Sequence, residues 1–147
     1  MKTLLLAAAL LACSLPAVAA WTAYTQTPAT SEFYDGATIE KRGATVKVWT
    51  MTNHTSALTN LEGKELLSEK SLTTIDCSNK KIGAEVVMTF AGRDTSSTRL
   101  GNMETPLRMT AIKAGSADDA LMHTVCRYSG PKLPEAASRH DRLVMTA

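Results

Sequence analysis

Alternating apolar and polar positions in residues 44–51 form the clearest secondary-structure pattern of the chain. Val46 and Val48 share one face, whereas Lys47 lies on the other. A period of two predicts a half-buried β-strand. Trp49 falls on the Lys47 face, so that face becomes apolar halfway along. We expect either an element that covers this part of the strand or a β-bulge that resets its register.

Short segments on both sides of this strand have the composition of further strands. They combine aromatic with β-branched residues or alternate apolar with polar positions, and turn residues separate them. The predicted strands are 21–24, 32–35, 38–41, 84–90 and 107–111. The Ser- and Thr-rich segment 67–77 predicts a polar or edge strand. The segments 53–65 and 92–101 predict loops.

One amphipathic helix is predicted after the strands. Ser116 and Asp119 stand three residues apart, a spacing that approximates a capping box at the start of a helix. Ala117, Leu121 and Val125 recur every four residues and form one apolar stripe, which we expect to pack on the sheet. Strands followed by one helix predict an α+β fold.

The first twenty residues have the pattern of a secretory signal peptide. Lys2 supplies a positive charge, residues 4–15 are apolar, and residues 17–20 are the small residues that a signal peptidase requires. We therefore expect a mature protein that begins near Trp21 in an oxidising compartment. Its location is predicted to be periplasmic or secreted.

A lipid-anchored product is the alternative. Leu10, Leu11, Ala12 and Cys13 loosely resemble a lipobox, in which Cys13 would become the lipidated first residue of an outer-membrane lipoprotein. The apolar run before Cys13 would then be unusually short, and the cleavage site at 17–20 would go unused. The leader therefore favours cleavage after residue 20, and the lipid anchor stays open.

Length and charge limit the class of protein. Removal of the 20-residue leader from the 147-residue chain leaves 127 residues, a length that fits one domain. We place that domain at 21–127 and a flexible tail at 128–147, where Pro, Ala, Ser and charged residues dominate. The 16 basic residues fall to 15 against 14 acids, so we expect no nucleic-acid partner, which requires clustered positive charge. No later segment is apolar enough to predict a transmembrane helix.

Cys77 and Cys126 are the cysteines that remain once the leader is removed. An isolated pair in an exported domain predicts one disulfide. Closure of a loop of this length would stabilise the fold by about 4 kcal/mol in the chain-entropy model. His123 near Cys126 is a poor start for a zinc site, because two further ligands are missing from the pattern.

The sequence offers no catalytic motif. His54, His123 and His140 lie far apart, and no serine-hydrolase, zinc-protease or phosphate-binding signature accompanies them. Asp118 and Asp119 form a carboxylate pair of the kind that calcium binds, but acidic residues also favour the start of a helix for electrostatic reasons, and capping is the better interpretation. We expect no enzymatic activity, no cofactor and no metal.

Aromatic and basic residues are the candidates for a binding surface. We expect most of the aromatic residues in the first third of the chain to form the core under the helix, namely Trp21, Tyr24, Phe33 and Tyr34. Trp49 differs, because it shares its face with Lys47. Basic pairs at predicted turns complete the candidates. The candidate surface is Lys47, Trp49, Lys80, Lys81, Arg93 and Arg99.

Several sequence blocks resemble the surface-adhesin protein E family of Gram-negative bacteria. These blocks are Tyr34-Asp35, Ile39, Gly43, Val46-Lys47-Val48-Trp49, Asp76-Cys77, and Ala114-Gly115-Ser116 through Val125-Cys126. The resemblance covers roughly residues 21–127. It implies a small antiparallel sheet with a C-terminal helix that the disulfide links to it. It also implies a non-enzymatic binding module for host extracellular-matrix or serum proteins. The alternative is a periplasmic accessory or structural envelope protein without a host ligand.

Overall fold

A computed structural model describes residues 21–129 of the chain. The predicted signal peptide, the alternative lipid anchor at Cys13 and the tail from residue 130 lie outside the described residues. Eight strands and one α-helix follow one another, with two short 3-10 turns at Gly36–Thr38 and Arg93–Thr95. The elements are β1 (Trp21–Gln26), β2 (Thr30–Asp35), β3 (Glu40–Arg42), β4 (Thr45–Thr59), β5 (Glu65–Asp76), β6 (Lys81–Phe90), β7 (Arg99–Glu104), β8 (Thr110–Ala111) and α1 (Ala117–Val125).

The strands form one antiparallel sheet in the order β1-β2-β4-β5-β6-β7. β3 pairs with the start of β4, and β8 pairs with the start of β6. This confirms the predicted α+β fold of an antiparallel sheet with a C-terminal helix. Because β4 and β5 occupy the middle of the sheet, the remaining strands are built outward from this long hairpin.

The prediction of a loop at 53–65 was wrong. β4 continues to Thr59, and its last residues, Leu58 and Thr59, pair with the start of β5. Threonine is compatible with a pleated strand, so a polar composition does not prevent pairing. Only the tip at 60–64 is a turn, in which the Asn60 side chain accepts hydrogen bonds from the backbone of Glu62 and Lys64.

Segment 67–77 is an interior strand and not the predicted edge strand. β5 pairs with β4 on one side and with β6 on the other. Two of its hydroxyl side chains have partners distant in the chain: Thr73 shares a hydrogen bond of 3.0 Å with Thr50, and Ser68 donates to the Gly92 carbonyl at 2.6 Å. Since these bonds depend on partners distant in the chain, composition alone misplaced the strand.

Two further predictions were correct only in part. The expected loop at 92–101 contains the 3-10 turn and then enters β7 at Arg99. The strand expected at 107–111 is reduced to Thr110–Ala111, which pairs with Lys81 and Ile82 alone.

The hydrophobic core lies between one face of the sheet and α1. Its members are aliphatic or methionine side chains that are at least nine-tenths buried, and Val46 and Val48 are among them, as their alternation predicted. The core consists of Val46, Val48, Ile75, Ile82, Leu121, Met122 and Val125. Burial of these side chains supplies the main favourable term for folding.

Both ends of α1 are fixed by local chemistry. Ser116 is the N-cap, and its hydroxyl accepts from the Asp119 backbone N–H at 3.3 Å, as predicted. At the other end the disulfide between Cys77 and Cys126 links the helix to the end of β5, which confirms the predicted pairing. Lys41 adds a third contact, because its Nζ donates to the Cys126 carbonyl at 2.7 Å. A cation at this end also complements the helix dipole.

Candidate binding surface

The sheet has two different faces, and α1 covers one of them. The register of the strands places a second set of side chains on the opposite face, which we call the open face. No α-helix within residues 21–129 packs on it, since α1 belongs to the core of the other face. The open face consists of Phe33, Lys47, Trp49, Met51, Lys70, Leu72, Val86 and Met88, with Trp21 at its margin.

Trp49 lies on the same face of β4 as Lys47, as the sequence pattern indicates. No register shift interrupts the pairing of β4 with β5 between Thr45 and Asn53, so the bulge that the sequence allowed in β4 is absent there. An element does cover the open face instead, at the end of the sheet near Asn53. The 3-10 turn Arg93–Thr95 hydrogen-bonds to Asn53 and leaves Trp49 itself half-buried.

Lys70 is the central charge of the open face. Its Nζ lies 4.6 Å from the centroid of the Trp49 ring and 5.6 Å from that of Trp21. A cation within about 6 Å of an indole centroid is attracted by the ring quadrupole. Lys70 therefore holds two tryptophans from separate strands in one patch of aromatic and basic character.

Lys47 is ion-paired with Glu85. The Lys47 Nζ lies 2.7 Å from Oε1 and 2.9 Å from Oε2 of Glu85, and the Thr74 hydroxyl donates to Oε1 at 2.9 Å. The hydrogen bond from Lys47 is the main cause that lowers the pKa of Glu85 below its usual range. Because 41% of the Lys47 side chain is exposed, it remains accessible to a partner beside Trp49.

The aromatic residues divide between the two faces. Tyr24 and Tyr34 pack against the core beneath α1, with ring centroids 6.3 Å apart. Trp21 and Phe33, which were expected under the helix with them, instead belong to the open face and its margin. The reason is the period of two: adjacent positions such as 33 and 34 must point to opposite faces.

Lys80 and Lys81 lie at the turn between β5 and β6. Both are exposed, and Lys80 has a φ of 51°, in the left-handed region. Asp76 shapes the turn, because its carboxylate accepts from the backbone of Ser78 and from Asn79. The Asn79 hydrogen bonds also lower the pKa of Asp76. The two lysines form a basic corner at the end of the sheet nearest Lys47.

Arg93 is held by a strained turn at the opposite end. The next two residues, Asp94 and Thr95, have φ angles of 59° and 54°. Such angles are costly for a β-branched residue and persist only where neighbours enforce them. Asn53 does so, since it exchanges two hydrogen bonds of 2.6 and 2.9 Å with Asp94. The Arg93 guanidinium then donates to the Thr55 carbonyl at 2.9 Å.

The structure thus brings the candidate residues into three groups. Lys47 and Trp49 lie on the open face, Lys80 and Lys81 at one end, and Arg93 with the exposed Arg99 at the other. The ten residues of β6 separate the two ends by about 30 Å. A protein partner that covers the open face could reach all three groups, whereas a small ligand could not.

Two surface features were missed by sequence reasoning. Lys70 lies in the Ser- and Thr-rich segment, and only the register of β5 with β4 shows its position between the tryptophans. The β4–β5 hairpin tip also carries Leu61, which is fully exposed at 108%, and Leu58, which is 46% exposed. The sequence signal for the exposed tip was Leu61, a hydrophobic residue inside a predicted polar loop.

The described residues contain no group of three or more His, Cys, Asp or Glu side chains that could hold a metal ion. Within the same part of the chain, no helix is long and apolar enough to cross a membrane. The open face is aromatic and basic, with charged residues at both ends of the sheet.

A single antiparallel sheet with one covered face, one disulfide-linked helix and one open face defines the class as a small, disulfide-linked α+β domain. The chain belongs to the surface-adhesin protein E family, whose family model matches residues 21–127. Membership confirms the resemblance seen in the sequence, implies an exported protein and suggests a binding protein of adhesin type.

Solved structures of Haemophilus influenzae protein E have a similar fold. One has a TM-score of 0.53 at 11% identity and covers 65% of this chain and 76% of the other. A structure of protein E from non-typeable Haemophilus influenzae has a TM-score of 0.54 at 12% identity and covers 75% and 82%. At such low identity the likeness shows a shared fold. No curated protein sequence matches the chain significantly.

Proposed function

We propose that the chain is an exported, non-enzymatic binding protein that binds host extracellular-matrix or serum proteins through its open face. One observation carries the proposal: Lys70 holds Trp21 and Trp49 together on a sheet face that α1 leaves uncovered. Tryptophan at the centre of an interface supplies much of the binding energy in known complexes.

The arrangement around this centre supports a protein partner. Lys47 and Glu85 form a charged pair beside Trp49, and basic residues lie at both ends of the sheet. Interfaces of standard size combine an aromatic centre with a polar rim. We assign Lys70 and the tryptophans to the centre, and Lys80, Lys81, Arg93 and Arg99 to the rim.

The direct test is a solid-phase binding assay with immobilised basement-membrane matrix and immobilised serum proteins. The protein is purified from cells that express the full chain, so that any processing is native. Replacement of central groups in the variants Lys70→Glu and Trp49→Ala should weaken binding by about tenfold or more, because hot-spot residues each contribute over 1 kcal/mol. Rim variants such as Lys80→Ala and Arg99→Ala should weaken it by less than the central ones.

Lys113→Ala is the matched control, since Lys113 is an exposed lysine in the segment before α1. Circular dichroism of every variant checks that the sheet is intact. A truncation to residues 21–127 should retain binding if the domain alone carries it. Failure to bind any matrix or serum component at micromolar concentration would favour the periplasmic accessory role instead.

A further inference from the structure

A second candidate site lies on the helix-bearing face, at the N-terminal end of α1. It is a cleft of about 370 Å³, within the range of small-molecule sites. Its floor is the sheet, one wall is the first turn of α1, and another is the segment before β8. The lining that matters for its chemistry is Tyr24, Glu32, Thr52, Ser71, Arg108 and Asp118.

The inner face of the sheet changes from aliphatic to hydroxyl side chains near the N-terminal end of α1. On the inner face of β4 the residues run from Val46 and Val48 under the helix to Thr50 and Thr52 in the cleft. The cross-strand partners of the first three change in the same order, from Ile75 through Thr73 to Ser71. A sheet that needed only to bury this surface would continue with aliphatic residues. The hydroxyl rows instead provide both donors and acceptors at the floor of the cleft.

Some polar groups of the cleft are already paired. The Tyr24 hydroxyl donates to Glu32 Oε2 at 2.8 Å, and the Thr30 hydroxyl donates to Oε1 at 3.3 Å. Burial, followed by the charge of Glu32, raises the pKa of Tyr24. Tyr24 therefore remains protonated, and the charge of Glu32 is partly satisfied within the protein.

Other groups of the cleft remain available. Among residues 21–129, the side chains of Thr52, Ser71, Arg108 and Asp118 make no hydrogen bond or salt bridge within the protein. Burial raises the pKa of Asp118 above its usual range. Arg108 approaches β6 closely because Gly83 has no side chain; a Cβ there would lie 2.5 Å from the Arg108 carbonyl oxygen. The cleft thus has one guanidinium, Arg108, and two carboxylates, of which Glu32 is already hydrogen-bonded within the protein.

We propose that this cleft binds a neutral, hydroxyl-rich small molecule of the size of a mono- or disaccharide. Hydroxyl groups of such a ligand donate to Asp118 and accept from Arg108, while the floor hydroxyls do both. The Tyr24 ring supplies an aromatic edge beside them. Two carboxylates against one guanidinium disfavour a phosphate, and the hydrogen bonds that Glu32 already accepts from Tyr24 and Thr30 leave it less available to a polyamine. This site is distinct from the open face and does not rest on the function proposed for it.

Saturation-transfer NMR tests the proposal with protein purified from cells expressing the full chain. The probes are glucose, galactose, mannose, N-acetylglucosamine, lactose and cellobiose at millimolar concentration, with spermidine and citrate as charged comparators. At least one saccharide should show saturation transfer. Arg108→Met and Asp118→Asn should each weaken its binding by about tenfold, the value of a lost hydrogen bond to a charged group. Thr52→Val keeps the shape, removes one hydroxyl and should weaken binding by a smaller factor.

Lys70→Met on the open face is the control and should leave saccharide binding unchanged. Conversely, Arg108→Met should leave binding to matrix or serum proteins unchanged, so the two proposals fail separately. The proposal is overturned if no saccharide binds, if spermidine or citrate binds in their place, or if cleft variants bind a saccharide as well as the unaltered protein does.

Discussion

The two faces of the sheet are stabilised in different ways. The helix-bearing face is aliphatic under α1, where Leu121 and Val125 are almost completely buried. The open face has mostly half-buried aromatic and aliphatic side chains, with Met51 as a buried exception at 2% exposure, and it is organised by Lys70 and by the pair of Lys47 with Glu85. Since burial of apolar area dominates folding, the helix-bearing face supplies most of the stability. The open face can therefore vary with less cost to the fold.

Loss of the disulfide should produce the largest effect. Cys126→Ser leaves the end of α1 without its covalent link to β5, and the free energy of unfolding should fall by about 2–5 kcal/mol. Urea denaturation followed by circular dichroism measures the change. Reduction of the unaltered protein is the control and should give a similar decrease. Two free thiols in protein purified from the cell envelope would contradict the link.

Matched leucines compare the faces directly. Leu121→Ala should lower the free energy of unfolding by about 2–5 kcal/mol, because Leu121 is 1% exposed and its truncation leaves a cavity. Leu72→Ala on the open face should cost about 1 kcal/mol, since Leu72 is only half-buried. Thermal unfolding measures both. Equal losses would show that the open face is covered in solution.

Removal of the central charge should have a smaller effect on stability. Lys70→Met keeps the aliphatic stem and loses the attraction to the two indole rings, at a cost of about 0.5–1 kcal/mol. Tryptophan fluorescence should shift at the same time, because Lys70 lies against both rings. Lys64→Met is the control, since Lys64 is exposed at the hairpin tip and pairs only with Glu62 in the described residues. An unchanged spectrum for Lys70→Met would disprove the contact.

The smallest effect is a pH dependence of opposite sign on the two faces. Lys47 lowers the pKa of Glu85 in the folded protein. The ionised Glu85 therefore stabilises the fold above its unfolded-state pKa of about 4.5, and this stabilisation is lost as the pH falls through the lower pKa of the folded state. Burial raises the pKa of Asp118, so ionisation of Asp118 lowers stability as the pH rises above 3.8. Carboxyl-carbon NMR titration measures both groups. Lys47→Met should return the pKa of Glu85 to its usual range, and an unaltered titration would show that another group lowers it.

Features set by neighbouring residues could be predicted from the sequence. The Ser116 cap, the apolar stripe through Leu121 and the alternation of Val46 with Val48 all depend on positions within a few residues. The disulfide was predictable for another reason, because Cys77 and Cys126 had no competing cysteine after the leader. These features fixed the fold class before the structure was known.

Features set by strand register could not be predicted. The place of β5 in the middle of the sheet depends on pairing with both β4 and β6, and the position of Lys70 over Trp49 and the hydroxyl floor of the cleft depend on partners about twenty residues away. A polar strand and a polar loop have similar compositions, and tertiary pairing decides between them. The candidate residues were therefore predictable one by one, while their arrangement in three groups on the open face and at its two ends required the structure.

The disulfide also determines how the molecule responds to a pulling force. Tension applied beyond Cys126 passes through the sulfur atoms directly to the end of β5, so β6, β7, β8 and α1 lie inside a closed covalent ring. The 49-residue separation between the two cysteines cannot extend, which shortens the fully stretched chain by about 170 Å. A domain pulled between its ends can therefore release β1 to β5, while the segment between the two cysteines bears no tension.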